Sequence, residues 1–422
     1  MNKYESYKPS NIDWVGEIPS HWETVQPKYK LNRVTRPIDD EDEVITCFRD
    51  GVVTLRKNRR EDGFTNSVKE HGYQQIHPGD LVVHEMDGFS GAIGISDSKG
   101  KSTPVYTVVE PDDRSDLKYI AYLLREMSQT GKIESLARSI RERTTDFRWN
   151  MWSVINFPFP PIEEQKLISR YLDKKTTQID SLVEKVQKKI EILKEQRTSL
   201  INHYVTKGLD PNVEMKDSGI EWIGEIPKDW DFRKLKHFYL YRKGSMGQKL
   251  TSSFIDENPG EYPVYSGQTS NDGILGTWNE FEFDFDTDVI FCTTVGAKLM
   301  TTRVLSGKFS LSQNCLVMIP KDNSISSRFV NYFLTYDFKI RRELLPSILQ
   351  PSLRMEDLDQ YWIPVPPFEE QIKIIDYVSK YWVSFEEMIS KLVYKTTLLK
   401  EYRQSLISSV VTGKVRVTED MI

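Results

Sequence analysis

Pro160-Pro-Ile-Glu-Glu-Gln165 is followed, from Ile162 to Lys207, by a run without proline or glycine, and the signature returns as Pro366-Pro-Phe-Glu-Glu-Gln371 before a second such run. Proline suits the first turn of a helix, where its missing N–H has no partner anyway. Glu163 and Glu164 place negative charge at the positive end of the helix dipole. Apolar residues then recur every seven positions at Leu172, Ile179, Val186, Leu193 and Leu200, with a second seam at Val183, Ile190, Arg197 and Tyr204. This is a sustained a/d pattern. The second run keeps the register 206 residues later, at Val378, Phe385, Leu392, Leu399 and Leu406. The spacing predicts helices over about 163–207 and 369–411, the first C-capped by Gly208 and the second ending near Gly413. At about 1.5 Å per residue each is on the order of 60 Å long. Two equivalent stripes in one chain most simply bury each other as an antiparallel pair; a stalk that dimerises two chains is the alternative. Arg197 and Arg403 interrupt the seam at equivalent positions, where their stems could snorkel.

The repetition extends outward from the helices. Ile12-Asp-Trp-Val-Gly-Glu-Ile-Pro-Ser-His-Trp22 returns as Ile220-Glu-Trp-Ile-Gly-Glu-Ile-Pro-Lys-Asp-Trp230, with seven of eleven positions identical. Lys194-Glu-Gln-Arg-Thr-Ser-Leu-Ile201 returns as Lys400-Glu-Tyr-Arg-Gln-Ser-Leu-Ile407. Between these matches lie segments, roughly 24–157 and 232–363, that do not align with each other. A period this long means a duplicated domain plus connector, not a solenoid. Both inserts read as mixed α/β. Asp80–His84 and Pro104–Val109 are strand-like and Leu117–Met127 is helical; Asp288–Thr293, Cys315–Ile319 and Ser327–Leu334 follow in the same order. The expected fold is α/β (α+β): two mixed α/β domains separated by a long antiparallel two-helix coiled coil, as a pseudo-two-fold internal repeat. Its expected boundaries are 1–160 and 209–365 for the domains, 161–208 and 366–413 for the helices, and 414–422 for a C-terminal tail.

With 422 residues, 38% hydrophobic and 11% aromatic, the chain can build cores. Its net charge of −5 means that any nucleic-acid binding must come from local basic patches. Cys47, Cys292 and Cys315 form no CxxC pair, which argues against a structural zinc or a disulfide framework. There is no signal-peptide pattern and no long apolar run. The expectation is a cytoplasmic protein without membrane association.

Catalytic motifs are missing. The sequence contains no Asn/Asp-Pro-Pro-Tyr, no nucleotide fingerprint and no phosphate loop; Gly244-Ser-Met-Gly-Gln-Lys has the wrong spacing for one. Pro111-Asp112-Asp113 reads as a surface turn, and His84-Glu85 lacks the second histidine of a zinc-protease helix. Basic and polar clusters are the better signals. Arg56, Lys57, Arg59 and Arg60 lie within six residues, enough charge to hold several phosphates. Arg138, Arg141, Arg143 and Arg148 precede the first long helix; Arg341, Arg342 and Arg354 occupy the matching region of the second copy. Arg148 and Arg354 are 206 residues apart. The Tyr265–Asn271 loop, with Gln268, Thr269, Ser270 and Asn271, and the stretch from Lys298 to Arg303 carry groups able to bond base edges. Each is also readable as an ordinary solvated loop.

Taken together, Trp-Val/Ile-Gly-Glu-Ile-Pro, the doubled Pro-Pro-x-Glu-Glu-Gln and the two long helices resemble the specificity subunits of type I restriction–modification systems, over essentially the whole chain. The resemblance implies two target-recognition domains, each reading one half of an asymmetric bipartite site on double-stranded DNA. It implies a non-catalytic chain whose helices set the spacer and dock two modification subunits, with two restriction subunits completing the assembly. S-adenosylmethionine, ATP and Mg would then reside on those partners, and this chain would bind no cofactor. The family's recognition domains vary too much for individual base-reading residues to be carried over. The expected DNA contacts rest on the basic and polar clusters themselves, at Arg56, Lys57, Arg59, Arg60, Arg141, Arg143, Arg148, Gln268, Thr269, Ser270, Asn271, Lys298, Arg303 and Arg354. A coiled-coil scaffold carrying two protein-binding domains is the competing reading, and a self-sufficient enzyme with an unrecognised active site a third.

Overall fold

The structure, a computed structural model, describes residues 2–59, 71–136, 147–221, 223–268, 271–296, 298–344 and 352–422. It divides into two compact units: Met1–Val186 with Tyr394–Ile422, and Gln187–Val393.

In the first unit, strands β1 (Asn32–Val34), β2 (Leu81–His84), β3 (Ile93–Ile95) and β4 (Tyr106–Glu110) form an antiparallel sheet in the order β1-β4-β2-β3. Helix α1 (Leu117–Gln129) covers one face. Successive strand residues point to opposite faces. Leu81, Val83, Ile93 and Val109 accordingly pack with Ile120, Leu123, Leu124 and Met127 of α1. Val82 and Val108 pack on the other side with Ile45, Cys47 and Val53, from a hairpin of Ile45–Cys47 and Val53–Leu55. Burial on both faces is why Leu-Val-Val reads as a continuous apolar run, not an alternating one.

Helix α2 (Ile162–Lys207) begins in the first unit and ends in the second. In the second unit, strands β5 (Tyr239–Arg242), β6 (Pro259–Tyr265), β7 (Ile274–Trp278), β8 (Phe283–Thr293), β9 (Thr302–Leu311) and β10 (Cys315–Pro320) are ordered β5-β10-β8-β9-β6-β7. The first four of that order correspond to β1-β4-β2-β3, and β6 and β7 are additions, with β6 parallel to β9. Alternation again divides the strands. Ile290, Cys292, Leu316 and Met318 pack with Phe329, Val330, Phe333 and Leu334 of helix α3 (Ser327–Glu343), while Val289, Phe291 and Val317 face a separate cluster with Leu305 and Phe309. Helix α4 (Phe368–Val411) runs from the second unit back into the first.

The long helices keep the boundaries their periodicity predicts. Their seam residues enter the unit cores: Leu172 and Ile179 share one with Leu406, and Ile201 and Val205 share the other with Ile374 and Val378. The seam arginines do more than snorkel. Arg403 Nε and Nη2 donate to Asp180 at 2.9 and 3.2 Å within the first unit. In the second, Arg197 is ion-paired with Glu386 and lies 4.2 Å from the Trp382 ring centroid.

Beyond each helix end sits a glycine in the left-handed region, Gly208 and Gly413, both at φ +76°. A Cβ on Gly208 would fall 3.3 Å from Trp230, and one on Gly413 would strike Pro19 and approach Trp22 at 3.2 Å. Conformation and close packing thus both select glycine there. No helix among the described residues is long and apolar enough to cross a membrane.

Candidate nucleic-acid interface

The Pro-Pro-x-Glu-Glu-Gln element fastens each α/β layer to its long helix. Gln165 donates from Nε2 to the Pro160 carbonyl at 2.8 Å, and its Oε1 accepts from the backbone N–H of Asp116, the N-cap of α1, at 2.9 Å. Gln371 repeats this on the Pro366 carbonyl and on Ser326, the N-cap of α3, at 2.9 and 2.8 Å. Both glutamines are buried, so each bond satisfies a group with no access to water. The second glutamate of each motif accepts an indole N–H: Trp22 to Glu164 at 3.2 Å and Trp230 to Glu370 at 3.0 Å. Dipole charge alone had explained these glutamates in the sequence; in the fold they also anchor the tryptophan of the other repeated motif.

The candidate DNA contacts spread over both units. In the first, Arg56 and Lys57 lie on the short turn Arg56–Asn58 that follows the hairpin, and Arg59 caps it. Arg56 Nε donates to Thr46 Oγ1 at 3.1 Å, and Lys57 pairs with Glu43 at 2.5 Å. Arg59 pairs with Asp50 at 2.7 Å, which holds that carboxyl below its ordinary range, and sits 4.7 Å from the Phe48 ring centroid. This cluster is therefore partly neutralised by its own neighbours. Arg60, Arg138, Arg141 and Arg143 lie outside the described residues, as do Thr269 and Ser270.

Arg148 and Arg354 occupy matching places. Each is the extended residue that opens a short helix, Trp149–Trp152 and Met355–Asp359, and both are exposed. Arg148 Nε lies 3.8 Å from Glu85, and the Arg354 backbone N–H donates to Asp357 at 2.8 Å.

In the second unit, Gln268 and Asn271 both turn their amides inward. Gln268 Nε2 donates to the Ile274 carbonyl, and Asn271 Nδ2 donates to the same oxygen at 3.3 Å. Arg303 packs directly behind Gly273 of this loop, where an added Cβ would come within 2.7 Å of its Nη2. The ammonium-bearing residue Lys298 is exposed; its carbonyl accepts from Thr301 Oγ1 at 2.8 Å.

The second unit also holds a cleft of about 800 Å³ between β9, α3 and the last third of α2. Six basic side chains line it, Lys194, Arg197, Arg303, Arg328, Lys339 and Arg342, against the two acids Glu195 and Asp288. Arg328 pairs with Asp288 at 2.6 Å, whereas Arg342 donates to neutral acceptors, the Leu299 carbonyl at 3.0 Å and Thr301 Oγ1 at 3.4 Å. No local run of charge marks this site, because its residues come from three distant segments. Of its six basic residues the sequence singles out Arg303 and Arg342 in polar or basic clusters and Arg197 on the helix seam, but nothing in it joins them.

Other candidate chemistry resolves into structure. His84 Nδ1 accepts the backbone N–H groups of Met86 and Asp87 at 3.2 and 3.1 Å, and burial lowers its pKa. Burial raises the thiol pKa of Cys47, Cys292 and Cys315. Among the described residues no cluster of His, Cys, Asp and Glu could hold a metal ion.

This arrangement of α/β layers tied to long helices is shared with a chain from a structural study of assembly and conformational transition in a type I R-M system. The TM-score is 0.69 at 15% identity, covering 94% of this chain and 99% of that one. Residues 227–392 match the family model of the type I restriction modification DNA specificity domain. A Methanocaldococcus jannaschii protein named for the specificity subunit of type I restriction enzyme MjaX is 23% identical over 98% of each chain. The Mycoplasma pneumoniae type I restriction enzyme MpnII specificity subunit is 35% identical over 35% of this chain and 42% of its own length. The chain is thus similar, over nearly its whole length, to type I restriction–modification specificity subunits.

Proposed function

We propose that this chain is the DNA-reading component of a type I restriction–modification assembly, with each unit reading one half of a bipartite duplex site. The long helices pack as an antiparallel coiled coil about a pseudo-two-fold axis, set the spacer between the half-sites and dock two modification subunits. Two restriction subunits complete the assembly, and S-adenosylmethionine, ATP and Mg belong to those partners.

The observation that carries this reading is the repetition of the anchoring contacts. Gln165 and Gln371 tie α1 and α3 to the long helices by the same pair of bonds, while the loops around the two sheets differ. The seam ion pairs support the two-fold relation. Moving Arg197 forward and Glu386 back by 206 positions yields Arg403 and Asp180, the other pair. Such an exchange is what an antiparallel pair of duplicated helices produces. Val383, Met388, Val393, Tyr394, Leu398 and Tyr402 of α4 are exposed, an apolar series that suits a docking surface.

Phosphate contacts would fix register and base contacts would carry sequence. Arg56, Lys57, Arg59, Arg148, Lys298 and Arg354 are the candidates for the first role, with Arg60, Arg141 and Arg143 from the sequence. Gln268 and Asn271, with Thr269 and Ser270, are the candidates for the second.

Inserting four residues, about one helical turn, into α2 near Thr176 tests the ruler. The methylated motif in cells carrying the variant should keep both half-sites and change its spacer. Altered half-sites with the original spacer would refute the proposal. Failure of the chain to bind duplex DNA in a salt-dependent way would favour a protein-binding scaffold.

A further inference from the structure

We propose that the cleft between β9, α3 and α2 in the second unit is a phosphate-binding subsite that takes the backbone of the duplex this unit reads. The proposal rests on the DNA-reading function above and adds a site to it. Three features converge there.

The first is uncompensated charge. Among the described residues, Lys194, Arg303, Lys339 and Arg342 have no carboxylate within 4.0 Å. Like charges crowded around one cavity repel, and an anion relieves that repulsion.

The second is orphaned hydrogen-bonding capacity. Arg197 Nε, Arg303 Nε and Asn331 Oδ1 are buried without a partner, and all three residues line the cleft. The two arginine N–H groups call for acceptors. The Asn331 amide can rotate to present its N–H₂ instead of its oxygen. A buried polar group left unpaired is destabilising. Phosphate, with several acceptor oxygens and negative charge, answers both needs.

The third is continuity with the loop that bears Gln268 and Asn271. Arg303 lies against Gly273 of that loop on one side and lines the cleft on the other. A duplex whose base edges meet the loop therefore brings its backbone to the cleft.

The corresponding place in the first unit shows that the shared frame does not require such a site. There Lys118 is paired with Asp173 at 2.6 Å, and the half-buried Arg125 lies against Gly51 beside a cavity of only about 160 Å³. The position 206 residues after Asp173 is Ser379, so the second unit lacks that acid on its long helix, and Arg328, in the place of Lys118, pairs with Asp288 instead. Tyr122 bonds Asp173 at 2.9 Å, and its counterpart Tyr332 bonds Ser379 at 3.1 Å.

The test uses the full chain, alone and assembled with its modification subunits, with anisotropy of a labelled duplex measured across a KCl series. Lys194 and Lys339 are both exposed, so the double variant Lys194→Ala/Lys339→Ala should fold normally. Losing two phosphate contacts should weaken duplex binding about tenfold or more and flatten the log–log salt slope by about two units. The methylated motif should not change, since these contacts carry no base information. Lys118→Ala, at the neutralised site of the first unit, should leave the slope unaltered. A wild-type chain without salt-dependent binding would remove both the DNA-reading function and this site. Normal wild-type binding with an unchanged slope in the double variant would overturn the site alone. Two further outcomes would also overturn the duplex assignment while the slope stays unchanged. One is calorimetric binding of inorganic phosphate or ATP that the double variant loses. The other is loss of modification subunits from the assembly, which would assign the cleft to an acidic protein segment.

Discussion

The two units attach their α/β layers to the long helices by the same bonds, yet the space beside α1 is filled and the space beside α3 is open. In the first unit the hairpin Ile45–Leu55 comes down on β3, with the Gly51 carbonyl seated over Gly94 and the Arg125 guanidinium against Gly51. In the second unit β9 passes the same place with Val304 and Leu305, and the cleft stays about 800 Å³. Alignment of the helix N-caps, Asp116 and Ser326, sets α1 on α3 residue by residue. Tyr119, Ile120, Leu123, Leu124 and Met127 then match Phe329, Val330, Phe333, Leu334 and Asp337, all buried. A frame held by caps and buried amides tolerates large changes in what surrounds it. The variable layer is free to alter charge and shape without moving the anchor.

That equivalence can be broken most strongly at the tryptophans. Trp22→Ala and Trp230→Ala each remove a fully buried indole and its hydrogen bond to a glutamate, and each should cost about 3–5 kcal/mol. Denaturant unfolding should report similar losses for the two variants. A cost in one unit less than half that in the other would show that the frames are not energetically alike.

Asp337 sharpens the contrast between the helices. Burial pushes its carboxyl up to about 6, partly offset by Arg341 at 2.9 Å, and one of its oxygens has no partner. Below about pH 4 both the folded and unfolded chains hold this proton. Between about pH 4 and 6 the unfolded chain releases it while the folded chain retains it, so stability falls as pH rises, and the full penalty remains above that window. At about 1.4 kcal/mol per pH unit the loss is roughly 3 kcal/mol. Asp337→Met, which installs the residue of the first unit, should stabilise the second unit at pH 7.5 by up to about 3 kcal/mol and by much less at pH 4. Equal unfolding midpoints for the variant and wild type at pH 7.5 would count against this account.

The smallest expected effect concerns the filled cleft. A Cβ at Gly94 would collide with the Gly51 backbone, so Gly94→Ala must lift the hairpin, at a cost of about 1–3 kcal/mol. Cys47 lies buried in that hairpin. Its thiol should label faster in the variant, while Cys292 and Cys315 keep their wild-type rates. Unchanged labelling of Cys47 would mean that the hairpin does not hold the cleft shut.

What the sequence determined by itself is local and periodic. A proline-proline start, a glycine stop and a seven-residue repeat suffice to place both long helices, because helix propagation and capping depend on residues within a few turns. The strands Leu81–His84 and Cys315–Pro320 were likewise legible as apolar runs, and the duplication as repeated words. Tertiary structure alone decided which groups meet. Glu43 and Asp50 lie several positions away from the Arg56–Arg59 cluster, and only the hairpin brings them beside Lys57 and Arg59 to neutralise it. The inward turn of Gln268 and Asn271 depends on how their loop closes on Ile274. The cleft gathers Lys194, Arg303, Arg328 and Lys339 from segments more than 100 residues apart at the extremes. Electrostatic and hydrogen-bonding partners act over a few ångströms of space, and separation along the chain carries almost no information about that distance.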